Sequence, residues 1–321
     1  MRLLFITSNR LGDAVLSTSV LRHFVETRPE LRITVACGPV AAPIFEAVPN
    51  LERIIRMPKQ KRGGHWWHLW KSVVTTWWDV IIDLRGSATA FVLPGRKRIV
   101  LSGNDDSIHR VEQLGRLIGV SPPLMPHIWT RPADEDRANR LLPDDQRPIL
   151  GIGAGANWFG KIWPVERFAE VVTRLTAPGG LLPNAHVLFL GAPDEYALSL
   201  PVIELVPEHR RTVIFGSEHL LTVEASLQKA DLYLGNDSGL MHMAAAAGVP
   251  TVGLFGPSKE QNYGPYGNNG CAVRTDWGYQ QIIDSRQDRF DGKTLMGTLS
   301  VDKVMDAIQQ HLDQFEREKI K

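Results

Sequence analysis

Short apolar runs alternate along this chain with polar, glycine-bearing loops, and the longer segments between them carry apolar residues at helical spacing. Positions 3–6, 33–36, 80–83, 149–152, 187–190, 213–215, 232–234 and 251–255 read as buried strands. Shorter candidates lie at 54–55 and 98–101. Helices are expected over about 14–27, where Leu16, Val20, Leu21 and Phe24 make one stripe, and over 109–118, 165–175, 222–229 and 240–247. A last helix is expected over 301–315, with Val304, Met305, Ile308 and Leu312 on one face. Strands joined through segments too long for hairpins imply parallel pairing, so the fold class is α/β.

The pattern breaks and restarts. Charged residues and prolines over 131–148 mark the passage between two halves, each of which opens with a strand running into a Gly-containing loop. The expected division is 1–145, 146–300 and a C-terminal helix, 301–321, packing back across both domains. A length of 321 residues suffices for two domains with separate cores. Lys plus Arg (36) nearly balances Asp plus Glu (35), so no global field would draw the chain to nucleic acid. Cys37 and Cys271 are far apart and lack metal-ligand spacing, which fits thiols packed in a reducing compartment. The apolar run in MRLLFITSNRLGD is too short for a signal peptide or a membrane span, and a cytoplasmic location is expected.

One stretch changes that picture. Arg53, Arg56, Lys59, Lys61 and Arg62 precede HWWHLWKSVVTTWWD, where five of the nine tryptophans fall between Trp66 and Trp78. As a helix, it would place Trp66, Trp70 and Trp77 on one face with Val73 and Val74. Two readings are open: a core helix of bulky residues, or a basic and aromatic surface for a membrane or an amphiphilic anion. Segment 53–78 is therefore the candidate for peripheral membrane contact.

Candidate chemistry sits in the loops. In LYLGNDSGLMHMAAAAGVPTVGLFGP, Gly235 and Gly239 permit a tight turn, and Asp237 and Ser238 are N-cap types at a helix start suited to phosphate. The plainer reading is an ordinary capped helix. Asp13 is either an N-cap or a carboxylate at the carboxyl end of the first strand, where open α/β sheets place their sites. In GAGANWFGKIWP, glycines 151, 153, 155 and 160 suggest a flexible loop with Lys161 near its end. It is not a Walker sequence, since Ile162 stands where the hydroxyl belongs, nor a dinucleotide fingerprint. Asp194 or Glu195 in GAPDEY would accept from ribose hydroxyls or cap a helix. Asp134-Glu135-Asp136 spells DxD but falls at a helix start, which predicts a solvated first turn.

Taken together, RLGDAVLSTSVLR, GAGANWFGKIWPVERF, GAPDEY and GNDSGLMHMAAAAGVPTVGLFGP resemble glycosyltransferase family 9, the bacterial heptosyltransferases of lipopolysaccharide core assembly. The resemblance covers nearly the whole chain in order. It implies the GT-B architecture, two Rossmann-like domains facing each other across a cleft, with acceptor held mainly by the first and nucleotide sugar by the second. It further implies inverting transfer of a sugar, typically heptose from ADP-heptose, to a lipid-linked acceptor without an essential metal or other cofactor. Under it Asp13 matches the general base, and Lys161, Asp237, Ser238 and Gly239 match the diphosphate cradle. His242 would support that cradle, and Asn157 and Glu195 would contact the donor. The Trp-rich segment and the loop SKEQNYGPYGNNG do not map onto the family pattern, which leaves the acceptor open. Two other classes remain at this level: a nucleotide-sugar isomerase or epimerase on the same plan, and a nucleotide-sugar-binding protein without transfer.

Overall fold

The computed structural model describes residues 1–285 and 294–319, so residues 286–293 of the expected second domain and 320–321 of the terminal helix lie outside it. The chain forms two compact units, 1–131 and 132–321.

The first unit runs β1 (Arg2–Ile6), α1 (Leu11–Thr27), β2 (Arg32–Cys37), β3 (Leu51–Arg56), α2 (Gly64–Val73), β4 (Trp78–Asp83), β5 (Gly95–Val100) and α3 (Arg110–Ile118). Its five strands are ordered β3-β2-β1-β4-β5, and every pairing is parallel. Leu3, Leu4, Phe5 and Ile6 are fully buried because β1 lies at the sheet centre with both faces covered. Strand order reverses between β1 and β4, and the loops following those strands emerge side by side.

The Trp-rich segment divides its residues in a way the pattern did not foresee. Helix α2 ends at Val73, and His65, Leu69 and Val73, four residues apart, form its buried stripe. Trp66, Trp70 and Val74 are only partly buried against the core. Trp77 lies beyond the turn that follows the helix and is 60 % exposed, so it does not share their face. Trp78 opens β4, buried, with its indole N–H donating to Val73 O at 3.1 Å.

The second unit runs α4 (Pro132–Leu141), β6 (Ile149–Gly153), α5 (Val165–Thr176), β7 (His186–Gly191), α6 (Tyr196–Glu204), β8 (Arg211–Phe215), α7 (Leu220–Leu227), β9 (Leu232–Asn236), α8 (Gly239–Ala246), β10 (Thr251–Phe255), α9 (Glu260–Tyr263), β11 (Gly270–Arg274), α10 (Tyr279–Ser285) and α11 (Val301–Lys319). Its six strands are ordered β11-β10-β9-β6-β7-β8, again all parallel. Edge strand β11 was not anticipated. Helix α11 seats Val301, Val304 and Ile308 in the core of this unit, each worth roughly 1.5–3 kcal/mol when fully buried.

Helix α4 occupies the stretch read as a passage and packs on α7. Asp134, expected in solvent, is buried there and accepts from Thr222 Oγ1 at 3.4 Å, whereas Glu135 and Asp136 are exposed. On α7, Glu224 is fully buried, and neither carboxyl oxygen has a hydrogen-bond partner among the described residues. Burial pushes its pKa well above the usual carboxylate range.

Candidate active site

In the first unit, Asp13 lies in the first turn of α1, and Arg10, not Asp13, occupies the N-cap position. The carboxylate of Asp13 accepts from Ser8 Oγ at 3.3 Å, and Ser8 Oγ accepts from the Arg10 N–H at 3.1 Å. Asp13 is half-buried, with its carboxylate on the side of α1 nearest the end of β1. Thr7, the residue after β1, is buried and donates to Ser17 Oγ at 2.8 Å, which ties the strand end to the helix.

The loop after β4 brings residues that motif reading passed over. Asp83 is fully buried and accepts from the N–H groups of Arg85 at 2.8 Å and Ser87 at 2.9 Å. That fold of the loop directs Arg85 over the face of Trp66, 4.5 Å from the ring centroid, with Nη1 3.4 Å from Asn9 Oδ1. Among the described residues no carboxylate forms an ion pair with Arg85. Burial holds its pKa below the ordinary guanidinium value, partly offset by Asp83, and burial together with the charges of Arg85 and Lys59 lowers that of His65. A polar strand-end loop carrying Arg was visible in RGSATA, but its neighbours Asn9 and Trp66 are distant in sequence.

In the second unit strand order reverses between β9 and β6, the place where open parallel sheets bind ligands beyond their strand ends. The loop after β6 and the turn after β9 meet there. Lys161 Nζ lies 2.6 Å from Asp237 Oδ2, with the two side chains 23 % and 8 % exposed. Ser238 is the N-cap of α8 in extended conformation, and its side chain makes no capping bond. The first-turn N–H groups of α8, Gly239 among them, therefore have no intrahelical partner. His242 is buried one turn on, with its backbone N–H 3.4 Å from Ser238 O.

Asn236, the last residue of β9, was read only as part of a loop. Fully buried, it donates through Nδ2 to Ala154 O at 2.7 Å and accepts from the Trp163 N–H at 3.1 Å, pinning both ends of the Lys161 loop. The Leu295 N–H donates to Gly160 O at 3.0 Å, and the Trp163 indole donates to Leu299 O at 2.9 Å. The expectation of a flexible glycine loop fails for this reason. Gly151 and Gly153 belong to β6, and the remainder is tied down along its length.

The glycines serve side chains instead. A Cβ on Gly155 would lie 2.2 Å from Glu195 Cδ, so this glycine admits the Glu195 carboxyl to the loop. Glu195 Oε2 accepts from the Ala192 N–H at 2.8 Å, the capping contact, and burial raises its pKa. Asn157 is exposed in the same loop, and its side chain makes no hydrogen bond among the described residues. Thus Lys161, Asp237, Ser238, Gly239 and His242 gather at the end of β9, Glu195 abuts the Lys161 loop, and Asn157 stays exposed without a side-chain hydrogen bond among the described residues.

A family model described as glycosyltransferase family 9 (heptosyltransferase) matches residues 120–293, more than half of the chain. Lipooligosaccharide heptosyltransferase 2 of Haemophilus influenzae is 25 % identical over 316 residues, spanning 85 % of this chain and 88 % of that protein. Lipopolysaccharide heptosyltransferase 2 of Escherichia coli is 24 % identical, spanning 88 % and 90 %. Among solved structures, a family 9 glycosyltransferase from Veillonella parvula superposes with a TM-score of 0.80 at 23 % identity, covering 98 % of this chain and 97 % of that one. The E. coli ADP-heptose heptosyltransferase II superposes at 0.74 and 20 %, covering 98 % and 100 %. Two parallel Rossmann-like sheets, the GT-B class of fold, and a matching sequence model across the join lead to one assignment: the chain belongs to glycosyltransferase family 9 (heptosyltransferase), and is a glycosyltransferase.

Proposed function

We propose that this enzyme transfers heptose from ADP-heptose, with inversion, to a lipopolysaccharide core or related lipid-linked acceptor, and that it needs no divalent metal to do so. Asp13 takes the proton from an acceptor hydroxyl, whose oxygen attacks the anomeric carbon from the face opposite the leaving group. The bond from that carbon to the diphosphate breaks, and ADP departs with the electron pair. Lys161, oriented by Asp237, and the N–H groups opening α8 take up the charge that develops on the departing diphosphate. Ser238 and His242 support that cradle, while Glu195 and Asn157 contact the rest of the donor. The observation that carries the reading is the Lys161–Asp237 pair at 2.6 Å beside the start of α8. The relatives' names, which specify heptosyltransferases acting on lipopolysaccharide or lipooligosaccharide, supply the sugar and the acceptor class. A panel of nucleotide sugars offered with truncated lipopolysaccharides tests it: ADP release is expected with ADP-heptose, undiminished by EDTA, and preference for another donor would refute the assignment.

Delivery of a lipid-linked acceptor belongs to the same proposal. No helix among the described residues is long and apolar enough to cross a membrane. Trp67 and Trp77 are 56 % and 60 % exposed, and Lys71 lies 5.1 Å over the Trp67 ring. Lys59, Lys61 and Arg62 are exposed immediately before α2. Indoles beside cations suit the interface of an anionic bilayer. Sedimentation with phosphatidylglycerol vesicles is expected to fall in high salt and in Trp67→Ser/Trp77→Ser; equal sedimentation of both proteins would remove this surface from the account.

A further inference from the structure

Tyr233, in the middle of β9, has no exposed surface, and its ring is admitted by glycines on two strands. Gly151 pairs in register with Tyr233, and Gly153 with Gly235. A Cβ on Gly153 would lie 2.0 Å from Tyr233 Oη, one on Gly235 2.6 Å from it, and one on Gly151 3.0 Å from Cδ2. Three glycines therefore clear a lane along the sheet face, and the phenol reaches the carboxyl ends of β6 and β9. This is the use of the G-x-G spacing that fitted neither nucleotide motif.

At the end of that lane the Tyr233 hydroxyl faces Ser238, the N-cap of α8. The two hydroxyls are close enough to interact, yet they form no hydrogen bond with each other. Among the described residues neither Tyr233 Oη nor Ser238 Oγ has a partner, and both atoms are buried. Buried hydroxyls are almost always satisfied, so two adjacent orphans at a helix start whose N–H groups lack intrahelical partners point to an anionic oxygen as the missing acceptor.

We propose that Tyr233 is a positioning residue for the nucleoside diphosphate: once the diphosphate is seated on α8, the Tyr233 O–H donates to Ser238 Oγ and thereby turns the Ser238 proton toward a phosphate oxygen. This rests on the reading of α8 as the diphosphate site. Burial raises the phenol's pKa, opposed in part by the neighbouring Ser238 hydroxyl and reinforced by the Glu195 charge, so Tyr233 stays protonated and is a donor at neutral pH. Glu195 is thus linked to the same corner through Gly155 and Tyr233.

Calorimetric titration of the full chain with ADP, paired with the melting temperature of the unliganded protein, tests the relay. Tyr233→Phe keeps the ring and removes one hydroxyl. It is expected to weaken ADP about 5- to 10-fold, the scale of one hydrogen bond, while the unliganded melting temperature holds or rises because no protein bond is lost. Ser238→Ala is expected to weaken ADP at least as much, and Tyr233→Phe/Ser238→Ala no more than Ser238→Ala alone. Unchanged ADP affinity in Tyr233→Phe, or losses that multiply in the double variant, would overturn the relay. So would a lowered melting temperature with wild-type affinity, the mark of a purely structural hydroxyl. Lys161→Met separates the two levels of the reading. If it weakens ADP and Tyr233→Phe does not, the relay alone falls; if neither Lys161→Met nor Ser238→Ala weakens ADP, the diphosphate site falls and the relay with it.

Discussion

Replacing Lys161 by Met keeps most of the stem and deletes the charge, which leaves Asp237, 8 % exposed at its side chain, as a lone carboxylate beside the opening of α8. Two losses combine at that point. Deleting a preorganised group that stabilises developing charge costs about 2.7–4 kcal/mol, or about 10²- to 10³-fold in rate. In addition, a carboxylate roughly 5 Å from a phosphate oxygen repels it by about 3 kcal/mol at an effective dielectric of about 20, less where solvent reaches the pair. The expected outcome is a loss in kcat/KM of about 10²- to 10³-fold or more, read from steady-state ADP release, together with weakened ADP binding. The sign of a second substitution is the sharper test. In the Lys161→Met background, Asp237→Asn removes the repulsion and is expected to recover about tenfold in ADP affinity. In the wild-type background the same change frees Lys161 from the partner that orients it and lowers kcat/KM. The reasoning is refuted if Lys161→Met keeps more than a third of wild-type kcat/KM, or if Asp237→Asn weakens ADP further in its background.

Other perturbations probe the surroundings. Gly153→Ala places a Cβ 2.0 Å from Tyr233 Oη and is expected to destabilise by about 1–3 kcal/mol in chemical denaturation, with partial rescue when combined with Tyr233→Phe; no rescue would contradict the shared lane. His186 donates through Nε2 to Thr212 Oγ1 at 2.8 Å, since that hydroxyl itself donates to Leu141 O, and burial pushes the imidazole down to about 4. The folded state thus favours neutral His186, whose contribution is complete above about pH 6.5 and is lost as pH falls from there toward 4. His186→Gln is expected to lose less melting temperature than wild type across that window, and parallel curves would refute this. Glu224→Met replaces an unpartnered buried carboxyl and is expected to stabilise by about 1–3 kcal/mol. Because the pKa of Glu224 is raised in the folded state, the gain should grow as pH rises above the unfolded value near 4.5; a destabilised variant would show that the carboxyl has a partner.

The α/β character was legible because central parallel strands are buried on both faces, so β1, β4, β9 and β10 each carry a short apolar run beside glycines and polar turns. Edge strand β11, GCAVR, lacks such a run and went unread. Helix α1 was found, and of the two readings left open for Asp13 the N-cap one fails: the turn begins at Arg10, whose cap lacks a side-chain bond. Trp77 was placed on a helical face by spacing alone, and the helix stops before reaching it. Individual candidate residues could be named from their loops, as Lys161, Asp237 and Ser238 were. What one-dimensional reading could not supply was register. Gly153 and Tyr233 are 80 positions apart, and nothing in GAGANWFGK says that its glycines make room for a tyrosine on β9 and a glutamate from the loop after β7. Asn236 was hidden for the same reason, since its work is done on Ala154 and Trp163.

The central claim is a sugar transfer that depends on an acceptor and on a carboxylate from the first unit. It is tested most directly by mixing the purified enzyme with ADP-heptose, with and without heptose-deficient lipopolysaccharide, and following ADP release by the wild type and by Asp13→Ala. The account predicts release only when acceptor is present, reduced about 10²- to 10⁴-fold in Asp13→Ala while calorimetric ADP affinity is retained. Equal release without acceptor, or undiminished release by Asp13→Ala, would contradict it.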